Sequence, residues 1–86
     1  MKVTVRFTGL LRLETGRGEE VCEMPAGASL ADLVNLLQGR GLDLSGYFLL
    51  LERPGEPALS VRPQAAEAET LVDGSRVTLL YRFAGG

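Results

Sequence analysis

Hydrophobic and polar positions alternate cleanly at the start of the chain. Val3, Val5 and Phe7 fall on one face, and Thr4, Arg6 and Thr8 fall on the other. A period of two predicts a half-buried strand. Gly9 interrupts it, Leu10 to Gly16 reads as a short irregular or helical stretch, and Gly16-Arg17-Gly18 reads as a turn. Glu19 to Met24 returns as a second strand, with Cys22 and Met24 inward and Glu23 outward, so the two strands are expected to form an antiparallel hairpin with a long connection. Pro25-Ala26-Gly27 breaks the strand. Leu30, Leu33, Val34 and Leu37 then recur at helical spacing. Ser29 is placed to accept a bond from a first-turn N–H, Asp32 can reach back as a capping-box acid, and an acid there suits the positive end of the helix dipole. Gly39 and Gly41 end the helix near Gln38 or Arg40. This helix reads as core packing and not as a site.

Tyr47 to Leu51 is apolar at every position. Such a run is either a central strand covered on both faces or one whose outer face meets a partner. Arg53 to Pro57 is a turn, Ala58 to Val61 is short and strand-like, and Arg62 to Glu69 is alanine-rich with room for a helical turn. Asp73-Gly74 is a turn signal, and Val77 to Phe83 is rich in β-branched, aliphatic and aromatic residues, which predicts a last strand. The chain is therefore expected to be an α+β domain with a mixed sheet of four to five strands and one main helix on one face. With the first and last strands central and parallel, that is the β-grasp arrangement, and it places the carboxyl terminus beyond the end of the sheet. Alternation puts Val77, Leu79 and Tyr81 toward the helix. Thr78, Leu80 and Arg82 then face the open side, where Leu80 with Phe48 or Leu50 would make an apolar patch of the kind that marks an interface.

The last strand runs into Ala84-Gly85-Gly86. Small residues at a chain end are also what a frayed terminus looks like. A strand that leads straight into unbranched residues nevertheless suggests a fold built to present its terminal carboxylate. Residues 1–86 are thus expected to form one domain, with 84–86 as a flexible tail.

Composition narrows the function. The sequence contains no histidine and a single cysteine, Cys22. The commonest general base and metal ligand are missing, and neither an internal disulfide nor a thiolate cluster can be built. A stand-alone hydrolase or metalloenzyme is disfavoured, and Cys22 reads as a small core residue. Nine basic and eleven acidic residues leave a net charge of −2, without the basic stripe that a nucleic-acid binder needs. No apolar run approaches a membrane span, and no signal-peptide pattern follows Met1, so a cytoplasmic protein is the expectation.

Three stretches carry a resemblance. Phe7, Arg12 and Gly16 stand in a Phe-x4-Arg-x3-Gly pattern, the Ser29-led helix follows, and Leu71-x-Asp73-Gly74 precedes the apolar strand and Ala84-Gly85-Gly86. In these the chain resembles the small ubiquitin-like sulfur carriers of the MoaD/ThiS family, with a length and long first hairpin closer to the MoaD branch. Ser75-Arg76 departs from the second acid that many members carry after Asp-Gly. Arg53 to Pro63 carries prolines in place of an Asn-Gly-like hairpin.

The resemblance implies a co-substrate and not an enzyme. An adenylyltransferase of the E1-like MoeB/ThiF type would use ATP to convert the Gly86 carboxylate to an acyl-adenylate. Sulfur from a cysteine desulfurase or rhodanese-type donor would then displace AMP and leave a thiocarboxylate. The acceptor side would be a larger, MoaE-type synthase subunit that holds the catalytic residues of molybdopterin synthesis. No bound cofactor is expected. Glycine at 85 and 86 suits a tail that threads a narrow channel, since a Cβ would meet its walls. Phe83 and Ala84 would anchor the tail base, or Phe83 would close the core. Leu80 and Phe48 would supply apolar contact, and Arg12 and Arg82 would steer an acidic partner or simply lie solvated. Thiazole synthesis, tRNA thiolation, a tungsten-cofactor pathway and protein modification through Gly86 are the alternatives.

Overall fold

The structure is a computed structural model that describes residues 1–82. The alternating first segment forms β1 (Lys2–Phe7), with Val3, Val5 and Phe7 buried. The stretch read as irregular or helical is a short helix, α1 (Gly9–Thr15). Its end is set by Gly16 at φ 73°, whose N–H returns to the Arg12 carbonyl at 3.0 Å. Side chains avoid that left-handed region, so the last position of the Phe-x4-Arg-x3-Gly pattern is a helix stop. β2 (Glu19–Glu23) pairs antiparallel with β1, Lys2 opposite Glu23 and Arg6 opposite Glu19.

Helix α2 (Leu30–Gly39) forms for the reasons its sequence gives. Both capping-box bonds are made, Asp32 Oδ2 accepting from the Ser29 N–H at 2.8 Å and Ser29 Oγ accepting from the Asp32 N–H at 3.2 Å. Leu30, Leu33, Val34 and Leu37 are buried. At about 1.5–3 kcal/mol per buried aliphatic side chain, this stripe holds the helix on the sheet far more strongly than its caps do.

β3 (Tyr47–Glu52), β4 (Leu59–Val61), a 3-10 helix (Pro63–Ala68) and β5 (Arg76–Tyr81) complete the chain. The five strands lie in the order β2-β1-β5-β3-β4. β5 sits in the middle, parallel to β1 and antiparallel to β3. Its C-terminal end therefore leaves the sheet beside the end of β1, as the strand order in the sequence predicts. The core lies on the α2 side, where Val5, Leu49, Val77 and Leu79 are fully buried.

The proline-containing segment is tied down from both sides. The side chain of Arg53 donates to the Thr70 carbonyl at 2.8 Å and pairs with Glu56 and Glu69 at 3.2 and 3.3 Å. Leu30 N–H to Glu69 O (2.7 Å) and Leu71 N–H to Ala28 O (2.9 Å) join the chain after the 3-10 helix to the start of α2.

The last strand differs from the sequence reading of Val77 to Phe83: it runs from Arg76 to Tyr81, Arg82 follows outside it, and Phe83 lies outside the described residues. Tyr81 follows the inward parity of Val77 and Leu79 yet is 56% exposed, while Tyr47 directly opposite it is buried.

Candidate functional site

Asp73-Gly74 sets up the strand that feeds the tail. Gly74, at φ 85°, donates its N–H to the Lys2 carbonyl at 2.9 Å, and Asp73 Oδ1 accepts from the Lys2 N–H at 2.7 Å. Ser75 is fully buried. It trades bonds with Val72, whose carbonyl takes the Ser75 N–H and whose N–H meets Ser75 Oγ, both at 3.0 Å. A turn of this kind locks the start of β5 onto the start of β1. Ser75 closes the turn on itself, so no second acid is needed there.

On the open face, Leu80 is the direct cross-strand partner of Phe48, and Thr78 is the partner of Leu50. All four are half-buried and outside the core cluster. The expected apolar neighbours are thus side by side. Arg6 and Arg76 sit across from Glu19 and Glu52, acids that offset them within the sheet. At the end where β5 leaves, Arg62 and Arg82 line one cleft of about 410 Å³ with Phe48, Ser60, Gln64 and Tyr47. Among the described residues, neither arginine makes an ion pair. Arg62 and the cleft were not legible in the sequence, since a turn residue after a short strand gives no sign of where its side chain will meet β5.

Arg12 is not brought to this cleft. It lines a separate hollow with Arg6, Thr8, Gly18 and Glu19, and its guanidinium lies over Gly18, where an added Cβ would be 3.6 Å from Nε. Of the remaining candidates, Phe83, Ala84, Gly85 and Gly86 lie outside the described residues.

Cys22 is buried in the core cluster. Burial, and then the neighbouring Glu20 carboxylate, push its thiol up. A raised thiol is a poor nucleophile at neutral pH, which agrees with its reading as a packing residue. Among the described residues no three acid or cysteine side chains converge to hold a metal, and no helix is long and apolar enough to cross a membrane.

No family model matches the sequence, and no curated protein matches it. Solved structures do. A Pyrococcus furiosus protein described as "Putative molybdopterin converting factor, subunit 1" shares 22% identity over 94% of this chain and 97% of its own, with a TM-score of 0.69. SAMP1 from Haloferax volcanii shares 16% identity over 100% of both chains, with a TM-score of 0.64. The chain has the ubiquitin-like β-grasp fold, the fold of that MoaD-type subunit and of SAMP1.

Proposed function

We propose that this protein is a sulfur carrier whose Gly86 carboxylate, with Gly86 as the terminal residue, is adenylated and converted to a thiocarboxylate for molybdopterin synthesis. The observation that carries the reading is the placement of β5. The central strand, parallel to β1, ends at Tyr81 at the end of the sheet, and the Ala84-Gly85-Gly86 sequence follows it closely in the chain. Likeness in fold to a molybdopterin converting factor subunit supports the choice of acceptor.

A carboxylate resists attack because its charge and resonance oppose a nucleophile. Adenylation by an E1-like enzyme of the MoeB/ThiF type, with ATP as that enzyme's substrate, joins a carboxylate oxygen to the α-phosphate, releases pyrophosphate and so turns that oxygen into part of a good leaving group, AMP. A persulfide-bearing donor then supplies sulfur, AMP leaves, and the thiocarboxylate remains after reduction of the acyl-disulfide by a thiol. The four residues after Arg82 can span at most about 14 Å. The body of the domain must therefore dock close to the reacting centre of each partner, including the larger MoaE-type subunit. The open face supplies that contact, with Phe48, Leu50 and Leu80 as its apolar middle and Arg62 and Arg82 at the tail end. The complementary partner surface is apolar with acids on one rim.

Deleting Gly85-Gly86 tests the reading. The truncated protein should keep the melting temperature of the full chain and accept no sulfur from ATP, activating enzyme and donor. Full activity of the truncated form in cofactor synthesis would overturn the proposal. Covalent adducts of higher mass in cells, in place of sulfur transfer, would favour protein modification through Gly86.

A further inference from the structure

The base of the tail is built unlike the rest of the sheet. Tyr81 is directly opposite Tyr47, and their rings meet edge to face, centroids 5.1 Å apart at 72°. Tyr47 is 7% exposed and belongs to the core, whereas Tyr81 is largely in water. Gly46 has φ 80°, and a Cβ added there would stand 3.1 Å from Tyr81 Cε1. One residue on, the Arg82 N–H donates to the Gly46 carbonyl at 2.6 Å. Ring on ring and ring on glycine therefore meet at Tyr81, and a main-chain bond holds the next residue, Arg82.

We infer that Gly46, Tyr47 and Tyr81 form a clasp that fixes where and in which direction the chain leaves the sheet, making Gly46 and Tyr81 positioning residues for activation of the tail. The inference rests on the carrier reading. With Gly86 as the terminal residue, the four residues after Arg82 have few bonds over which to correct a wrong start. Loosening its base lowers the fraction of molecules poised to thread the activating enzyme, and apparent affinity falls by that same fraction. Once the tail is threaded the chemistry is unaltered. The clasp should therefore act on KM and leave kcat in place.

The test is a double-mutant cycle on the full chain, with G46A, Y81A and both together, alongside Y81F as the conservative variant. Two readouts are taken, amide exchange at Arg82 and the kinetics of adenylation by the activating enzyme. Each single variant should speed Arg82 exchange and raise KM by about tenfold with kcat nearly unchanged. The double variant should be no worse than either single one, because both disrupt one device. Y81F keeps the ring on Gly46 and should behave as wild type. Additive effects, or a large effect of Y81A with none from G46A, would mean that Tyr81 touches the partner directly, and would overturn the inference. Faster Arg82 exchange without any change in KM would overturn it equally. Should the wild-type chain fail to be adenylated, the carrier reading and the positioning role fall together. Unchanged Arg82 exchange in G46A and Y81A would instead refute the clasp while leaving the carrier reading intact.

Discussion

Gly74 occupies a backbone region that side chains rarely adopt, φ 85°, and a Cβ there would also come within 3.3 Å of Pro54 Cγ. Gly74→Ala should therefore destabilise the fold by about 1–2 kcal/mol, read as a lower urea midpoint with unchanged m-value. Asp73→Ala should cost about 1 kcal/mol by removing the exposed bond that ties the turn to the Lys2 N–H, and Ser29→Ala a similar amount by removing half of the capping box. Cys22 makes a pH-dependent contribution. Burial and Glu20 raise its folded pKa, so the neutral thiol is the form the fold favours. That contribution is fully present below the ordinary thiol value and is lost as pH rises through the raised one. Cys22→Ala should flatten the alkaline fall in stability, and wild-type Cys22 should resist alkylation at pH 7 until denaturant is added. Rapid alkylation of the native protein would contradict its placement in the core.

At the scale of elements, charge fastens the β2 edge of the sheet to the end of α2. Arg40, at the end of α2, pairs with Glu20 on β2, which also lies 4.0 Å from Arg17. Glu20→Gln should cost about 0.5–1 kcal/mol, because Arg40 is partly in water and can be solvated once released. Strand and helix identities were legible because local periodicity and burial agree. β1 alternates, α2 repeats with caps, and Asp73-Gly74 announces β5. The fully apolar Tyr47 to Leu51 run left two choices open. The register resolves them by turning Tyr47, Leu49 and Leu51 to the helix and leaving Phe48 and Leu50 on the open face. What the sequence hid depends on contacts between distant segments. Gly46 looks like any loop glycine until Tyr81 is found against it. Arg12, grouped with Arg82 by chemistry, lies in a different hollow because α1 carries it away from the cleft. Arg53 reads as a turn residue, yet its side chain holds both the Glu69 carboxylate and the Thr70 carbonyl.

For the whole molecule, stability and function are set by different faces. Leu79 is fully buried between α2 and the sheet. Leu79→Ala should cost about 3 kcal/mol, a large share of the few kcal/mol per molecule expected of a domain this size, and should be visible as a collapsed melting temperature. Phe48→Glu or Leu80→Glu on the opposite face should leave the melting temperature within a few degrees, and each should weaken binding to the activating enzyme or the larger subunit at least about tenfold, measured by calorimetry. Equal binding by all three proteins would move the interface elsewhere.

The most direct measurement is the mass of the last tryptic peptide, Phe83 to Gly86, after incubation with ATP, the activating enzyme and a sulfur donor. Replacing one carboxylate oxygen by sulfur should add about 16 Da to that peptide, and only when ATP is present. The same increase found on peptides bearing Met1, Met24 or Cys22, with Phe83 to Gly86 unchanged, would be oxidation and would contradict a carrier role for Gly86.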